Sequence, residues 1–488
     1  MTRAAPTAAE DPDAGPVEPA AGTAAPAAAV PVLGYEPAPV PAPPTGLLWP
    51  LLVLVFPTVV ENVLHMFVGL WDVSIAGRLG TDAASATAAI GTVAYVLWLV
   101  NLIGSAIGTG ATAIVARAVG ARHRSLANSV TGQAVAAAFL TGVVLSAVFA
   151  AFPEQITALA GLTGRAHEFA RFYFQVLSLS LPFSLVTVAA GSCLRGAGDS
   201  VSPAVAMVAV DGTNMLASAA LTFGWFGLPA MGFRGIAFGT VIAYTIGGLI
   251  LVGVLLRGTR VRLHTHRLRP HWHTLRRLLK VGLPNGAESL LVWPAQFTIL
   301  GLINHIDGSN VSGAAHIVTI RVESMSFMLG LAFMSGAATL VGQSLGMKDP
   351  VRAVRATWLS FRICLVVMVS WGLAFVFAGR HLAGVVNGDP RVIDLAAQCL
   401  FVTAFAQVGF AAALVFGGAL RGAGDTVAVM IINTVSQLGL RLVGVVVAIK
   451  VLHLGLPAVW MVLGGELTLR GAAIFARFLH GGWKHVKV

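Results

Sequence analysis

The chain has 488 residues, of which 57% are hydrophobic and only 10% are charged, whereas about 25% of the residues in an average soluble domain are charged. So few charged side chains cannot cover a globule of this size with a water-facing surface, which excludes a soluble enzyme and indicates an integral membrane protein. The net charge of +11 does not indicate nucleic-acid binding, because eight of the 31 basic residues lie in one stretch and most others lie singly between apolar segments.

The N-terminal segment, residues 1–46, is rich in Ala and Pro and contains no apolar run long enough for a signal peptide. We expect it to be a disordered cytoplasmic tail. Apolar runs of about 20 residues follow, each long enough to cross roughly 30 Å of hydrocarbon as a helix, which predicts an all-α protein with twelve transmembrane helices. These helices are expected to begin near Leu47, Ala88, Ala127, Phe169, Ala204, Gly235, Val281, Ala314, Thr357, Leu395, Val427 and Pro457.

Basic residues are concentrated in the loops that follow even-numbered helices, above all in residues 257–280. Because cytoplasmic loops are enriched in Lys and Arg, this bias predicts that both termini are cytoplasmic and that residues 257–280 form a basic cytoplasmic linker. The excess of Arg over Lys and the abundance of Ala are typical of a GC-rich bacterial genome. We therefore expect a multi-pass protein of a bacterial plasma membrane.

An internal repeat divides the chain. The segment Leu194–Asp199, which has the sequence LRGAGD, recurs 226 residues later at Leu420–Asp425, and Pro57 with Glu61 four residues later recurs as Pro284 with Glu288. Each repeat contains an even number of helices, so both halves enter the membrane in the same direction. This predicts two parallel, pseudo-symmetric six-helix bundles, residues 47–256 and 281–488, with the substrate path between them.

Five sequence motifs, taken together with their order, spacing and duplication, are typical of one transporter family. They are Trp71–Gly80, Gly110–Gly120, Arg321–Met328, Ala338–Gly346 and the two LRGAGD segments. In these segments the chain resembles the multidrug and toxic compound extrusion (MATE) transporters, and its second half is most similar to the bacterial DinF-like branch. The resemblance implies an antiporter without a cofactor, which exports organic, often lipophilic and cationic compounds in exchange for H⁺ or Na⁺. We expect it to act as a monomer in the lipid bilayer, with a small-molecule substrate.

Acidic residues within the spans are candidates for ion coupling, because a charge inside the bilayer needs a partner, a cavity or a proton. On helix 1, Glu61, His65 and Asp72 lie on one face, where a carboxylate can take up and release a proton. Asp72 matches the helix 1 aspartate that the resemblance implicates in coupling, with Na⁺ as an alternative occupant. Pro57 stands where the family has its helix 1 proline, and it is either a conformational hinge or a static kink.

Helix 5 carries Asp211, Asn214 and Ser218 on one face. The family often has Asn at the position of Asn214 and Asn or Asp at that of Ser218, so this chain departs from the pattern at the second position. We assign ion coupling to Asp72, Glu61, Asp211 and Asn214. We assign the substrate cavity to His65, Ser218, Glu288, Gln407, Asn433 and Gln437. The alternative for each except Asp72 is a polar group that holds helices together.

In the second half, Ile299 occupies the position equivalent to Asp72, so we expect coupling to reside in the first half. Arg441 needs an acidic or carbonyl partner within the membrane, and Glu466 is one candidate. Glu323 is expected to pair with Arg321 or His316.

The two LRGAGD segments are best explained as cytoplasmic turns. Their glycines end one helix and Asp199 or Asp425 caps the next.

Other functions fit the sequence less well. A flippase for lipid-linked precursors shares paired bundles, but it usually has a more cationic cavity than helices 1, 2, 7 and 8 predict here. A passive channel is a further alternative. An intramembrane enzyme is disfavoured because His-Glu-x-x-His and Gly-x-Ser-x-Gly motifs are missing, and the missing phosphate loop argues against a nucleotide-driven pump. The His residues of the basic linker are expected to lie near lipid headgroups and not to bind a metal.

Overall fold

The computed structural model describes residues 46–159, 161–264, 271–307 and 311–486, and this part of the chain is almost entirely helical. The predicted disordered tail lies outside the described residues except for Gly46.

Fourteen helices are numbered in chain order. In the first half they are α1 Leu48–Gly77, α2 Ala83–Gly120, α3 Arg124–Ala151, α4 Pro153–Leu159, α5 Gly164–Ser178, α6 Leu181–Gly196, α7 Val201–Phe223 and α8 Phe233–Arg257. In the second half they are α9 Trp272–Asn304, α10 Val311–Gly346, α11 Pro350–Val386, α12 Pro390–Ala423, α13 Thr426–Val451 and α14 Leu456–His480. We call α1–α8 the N-lobe and α9–α14 the C-lobe.

The expected twelve spans are present, but one of them is broken. Among the described residues, eleven helices are long and apolar enough to cross a membrane, and α5 with α6 forms a further pair that is bent by 60°. The sequence predicted one uninterrupted helix here. Pro182 lies in the first turn of α6, where its missing N–H is tolerated, whereas a continuous helix would lose a backbone hydrogen bond at this residue.

Two helices of the C-lobe begin earlier than predicted because an Asp-Pro pair starts each of them. The side chain of Asp349 accepts a hydrogen bond from the N–H of Arg352, and Pro350 occupies the first turn of α11. Asp389 and Pro390 repeat this arrangement at the start of α12. An apolar run does not include such polar first turns. Residues 272–280 of the predicted linker are likewise helical, as the first part of α9.

The two LRGAGD segments end α6 and α12 as predicted, with Gly198 and Gly424 in the left-handed region. Asp199 caps the next helix, since its carboxylate accepts hydrogen bonds from the N–H and hydroxyl of Ser202 at 3.0 and 2.7 Å. Asp425 instead pairs with Arg477 at 2.9 Å. The repeated sequence therefore gives the same turn in both lobes but not the same cap.

The lobes meet along α1, α2, α9 and α10. Leu51, Leu54 and Val55 at the start of α1 pack into a buried apolar cluster with α10, α11 and α12. At the ends of α2 and α10 the backbones almost touch. A Cβ at Gly120 would overlap the carbonyl oxygen of Gln343, and one at Gly346 would overlap that of Arg117. Gly120 and Gly346 are equivalent in the repeat, so this contact is symmetric.

Candidate functional site

The N-lobe holds a polar cluster between α1 and α7. His65 Nδ1 lies 3.4 Å from Asp211 Oδ1. The His65 side chain is 53% exposed, whereas that of Asp211 is 5% exposed. The contact therefore joins an exposed imidazole to a buried carboxylate.

Asp72 lies two turns beyond His65 on α1 and interacts electrostatically with it. Its Oδ1 atom is buried without a hydrogen-bond partner among the described residues. The neighbouring indole N–H of Trp71 donates to the carbonyl oxygen of Met215 at 3.0 Å, which fixes this part of α1 against α7. Asp72 and Asp211 both interact electrostatically with Tyr244 of α8, so the two carboxylates belong to one cluster.

Hydroxyl groups form the inner wall of the cluster. The Asn214 amide donates to Thr240 Oγ1 at 3.1 Å, and Tyr173 Oη lies 2.8 Å from the same oxygen. Ser218, one turn farther along α7, lies 3.5 Å from the carbonyl oxygen of Ile236. Tyr173, Thr240 and Tyr244 were not among the site residues predicted from the sequence. The chain has only four tyrosines, so a tyrosine inside an apolar span is a signal that could have found two of them.

Three buried oxygen atoms of this cluster have no described hydrogen-bond donor, namely Asp72 Oδ1, Asp211 Oδ2 and Asn214 Oδ1. Buried acceptors are normally paired, and an unpaired carboxylate within a membrane is costly. The two carboxylates can take up a proton, and all three oxygens can contact a hard cation such as Na⁺. Among the described residues, no group of three or more His, Cys, Asp and Glu side chains is placed to hold a metal ion.

Glu61 interacts electrostatically with His65, but its ion pair is with an arginine of α6. Its carboxylate accepts from Arg195 Nη1, with oxygen distances of 3.2 and 3.3 Å. In the C-lobe, Glu288 accepts from Arg421 Nη2 at 3.1 Å and from the amide of Asn433 at 2.6 Å. Both predicted acids are thus paired with the arginine of an LRGAGD segment.

The other predicted cavity residues of the C-lobe are only partly connected. Gln437 accepts a hydrogen bond from the amide of Gln296 at 3.2 Å, on the side of α13 that faces α9. Gln407 on α12 is fully buried, and neither its amide oxygen nor its amide nitrogen has a described partner. The structure therefore brings Asn433 and Gln437 to the α9 face of the lobe, whereas Gln407 lies in the packed interior.

Arg441 pairs with Glu466, as the sequence suggested. Its Nε and Nη2 atoms lie 2.8 and 2.7 Å from Glu466 Oε2. The prediction for Glu323 was wrong, because no described hydrogen bond or ion pair joins it to Arg321 or His316. It interacts electrostatically with Arg441 and with Arg470 of α14 instead. Both of these arginines belong to other helices than Glu323.

The ends of α2, α6, α10 and α12 form hydrogen bonds between the lobes, and we call this contact the seal. Gln343 donates to the carbonyl oxygen of Gly196 at 3.1 Å, and Thr339 donates to that of Arg195 at 3.1 Å. From the other side, Arg117 Nη2 donates to the carbonyl oxygen of Ala423 at 3.4 Å. Each LRGAGD turn therefore supplies carbonyl oxygens to the opposite lobe.

Comparison with known proteins agrees with this architecture. The sequence profile of the MatE family matches residues 57–219 and 284–447, one segment in each lobe. A probable multidrug resistance protein NorM of Thermotoga maritima is 31% identical over 89% of this chain and 92% of its own length. A protein of the same description from Mesorhizobium japonicum is 30% identical over 88% and 92%.

A solved structure shares the fold. It is described as the outward-facing conformation of a multidrug resistance MATE family transporter of the MOP superfamily, and it superimposes with a TM-score of 0.82 at 18% identity, over 90% of this chain and 96% of that chain. Together with the two-lobed helical fold, these matches show that the chain belongs to the MATE family of multidrug efflux transporters and is not an enzyme.

Proposed function

We propose that this protein is a secondary active antiporter that exports organic compounds, lipophilic cations among them, in exchange for H⁺ or Na⁺ by alternating access. The observation that carries the proposal is the set of three unpaired buried oxygens on Asp72, Asp211 and Asn214. Buried oxygens that lack hydrogen-bond donors can be satisfied by a bound proton or cation, which is the role of a coupling ion. The inward gradient supplies the energy, since one charge crossing 100 mV releases about 2.3 kcal/mol.

Asp72 and Asp211 take the coupling ion in this proposal, with Asn214 as a neighbouring ligand. His65 is exposed and contacts Asp211, so it passes protons to the buried carboxylate or turns it toward the cavity. Pro57 lies within the continuous helix α1, 15 residues before Asp72. The missing N–H at Pro57 makes this the point at which α1 bends when the charge of the site changes.

The substrate binds between the lobes, near His65 and Ser218 on one side and Gln437 and Asn433 on the other. The paired acids Glu61 and Glu288 take a positioning role, because each is neutralised by an arginine of its own lobe. Gln407 would join the cavity only in another state of the cycle. The seal formed by α2, α6, α10 and α12 closes the end that the Lys and Arg bias assigns to the cytoplasm, so the described state faces outward.

The protein resides in a bacterial plasma membrane with both termini cytoplasmic, and it acts as a monomer. Residues 47–256 and 281–488 form the two moving halves, and residues 257–280 connect them. Because the proposed coupling groups are side chains of the chain itself, transport proceeds without a cofactor.

Proteoliposomes provide the test. Uptake of a lipophilic fluorescent cation is measured with an imposed H⁺ gradient and then with an imposed Na⁺ gradient, for the parent and for Asp72→Asn. We expect one gradient to drive uptake in the parent and neither to do so in the variant. Asp394→Asn is the matched control, since Asp394 is 47% exposed and pairs with Arg380 away from the site. Equal uptake by Asp72→Asn would exclude Asp72 as the coupling residue, and passive uptake without a gradient would indicate a channel.

A further inference from the structure

The C-lobe contains a buried arginine pair that the proposed coupling cycle does not use. Arg441 on α13 and Arg470 on α14 both contact Glu466, and their side chains are 15% and 13% exposed. Glu466 itself is 1% exposed and also accepts from Ser436 at 2.6 Å. Two guanidinium groups thus share one carboxylate within the membrane-spanning part of the lobe.

Arg470 is the incompletely paired member. Its described ion pair joins Nε to Glu466 Oε1 at 3.4 Å, which is longer than the 2.7–2.9 Å of a charge-assisted hydrogen bond, and its Nε has no described hydrogen bond. Arg441 by contrast makes two contacts shorter than 3 Å. Because Glu466 already accepts from Arg441 and Ser436, it has little capacity left for a five-donor guanidinium. Arg470 therefore has an N–H donor that no described acceptor satisfies.

A further N–H donor lies beside the pair. The indole N–H of Trp460 is buried without a described acceptor, and the Trp460 ring lies 5.4 Å from the ring of His316, whose Nδ1 also has no described partner. His316 interacts electrostatically with Arg441. The remaining acid near the arginines, Glu323, makes no described hydrogen bond to either of them. Two buried N–H donors of α14, Arg470 Nε and Trp460 Nε1, therefore have no described acceptor.

The internal repeat shows that this arginine and its acidic partner are specific to the C-lobe. Glu466 and Arg470 are equivalent to Thr240 and Tyr244, 226 residues earlier. In the N-lobe those positions line the cluster whose unpaired atoms are oxygens, whereas the unpaired atoms of Arg470 and of the nearby Trp460 and His316 are nitrogens. The repeat thus places an acid and an arginine in the C-lobe where the N-lobe has two hydroxyl side chains.

We propose that Arg470, assisted by Arg441, binds a carboxylate or phosphate group of the exported compound. This inference rests on the proposed export function and narrows its substrate class to amphipathic zwitterions, in which an acidic group accompanies the lipophilic cation. A planar guanidinium suits this task because it binds a carboxylate or phosphate through two parallel hydrogen bonds. Arg470 also interacts electrostatically with Glu288 and Arg421, which places it on the side of the lobe that faces α9 and the path between the lobes.

Binding of two matched dyes to the purified protein tests the proposal. Rhodamine B carries a free carboxylate beside its delocalised cation, and rhodamine B ethyl ester lacks only that carboxylate. Fluorescence polarisation in detergent needs no ion gradient, so its outcome is independent of the antiport assay. We expect the parent to bind the acid about tenfold more tightly than the ester, and Arg470→Met to remove that difference without weakening ester binding.

Two further variants keep the test decisive. Arg470→Lys retains the buried charge, so it should fold as the parent does and show an intermediate preference, because a lysine lacks the two-pronged geometry. Arg380→Met removes an arginine that is 67% exposed and should leave both affinities unchanged. Equal binding of the two dyes by the parent, or binding of neither, would overturn the proposal. Loss of the acid preference on adding phosphatidylglycerol to the micelles would assign Arg470 to a lipid headgroup and would overturn its role toward the substrate.

Discussion

Glu61 lies 3.2 Å from Arg195, and the C-lobe repeats this ion pair with Glu288 and Arg421 at 3.1 Å. In each lobe the glutamate follows a proline of the first helix by four residues, and the arginine belongs to the LRGAGD segment that ends the fourth span. The carbonyl oxygen of Arg195 in turn accepts a hydrogen bond from Thr339 of the other lobe. Each pair therefore connects the first helix of its lobe to the contact between the lobes.

The first prediction concerns the stability that these pairs provide. Glu61→Gln and Glu288→Gln should each lower the melting temperature of the detergent-solubilised protein, measured by scanning fluorimetry. Each substitution leaves an arginine that is 19% or 16% exposed without its counter-charge, and breaking a buried pair costs about 3–5 kcal/mol. Both sites should respond alike because their surroundings are related by the repeat.

An exposed pair supplies the control for this comparison. Glu154 contacts Arg171 at 3.1 Å, but the two side chains are 60% and 47% exposed. Glu154→Gln should therefore change the stability by no more than about 1 kcal/mol. If Glu61→Gln melted no earlier than Glu154→Gln, the Glu61 pair would have no structural role, and Glu61 would return to the list of coupling candidates.

The internal repeat made most of the fold predictable, because it can be recognised from the sequence alone. It predicts the number of spans and that both halves enter the membrane in the same direction. The break between α5 and α6 was missed, since an apolar run looks the same whether or not it bends. Pro182 was its available signal. The partner of Glu61 was missed because the two residues are 134 positions apart. The duplicated Pro57 and LRGAGD segments nevertheless contained the clue, since both members of the pair recur at nearly the same offset.

The N-lobe cluster was partly predictable, because Asp72, Asp211 and Asn214 are polar residues in apolar helices. The hydroxyl groups that line it were not predictable, since a threonine such as Thr240 is common in membrane helices and does not stand out. Glu323 shows most clearly that the sequence does not identify contacts between helices. Its nearest cations along the chain were assigned as partners, but the arginines that act on it come from α13 and α14. Contacts between helices depend on packing angles that the period of one helix does not determine.

The second prediction concerns the close approach of α2 and α10. Gly120→Ala and Gly346→Ala should each destabilise the protein by about 1–3 kcal/mol in unfolding experiments, because the added methyl group overlaps a backbone carbonyl of the other lobe. Gly91→Ala is the control on α2. Nothing lies within 4 Å of a Cβ at Gly91, so it should gain up to about 1 kcal/mol from its better helix propensity. Equal effects at Gly91 and Gly120 would contradict a tight seal.

The third prediction concerns orientation in the membrane. Ala121→Cys, after α2, should react with an impermeant maleimide only once cells are permeabilised, because its loop carries Arg122 and Arg124 and is expected to be cytoplasmic. Gly388→Cys, between α11 and α12, should react in intact cells. Background labelling should be low, since the three native cysteines are buried. The reverse labelling pattern would place both termini outside the cell. The seal would then lie on the outer side of the membrane, and the described state would face inward.

The last prediction concerns Gln407, which is fully buried with both amide atoms unpaired among the described residues. Gln407→Leu preserves the side-chain volume and removes two unsatisfied polar atoms, so it should stabilise the protein by about 1–3 kcal/mol in scanning fluorimetry. Gradient-driven uptake in proteoliposomes should fall, because a polar group that costs stability in this state is expected to serve another state of the cycle. Unchanged uptake with increased stability would remove Gln407 from the cavity, and decreased stability would show that its amide is paired.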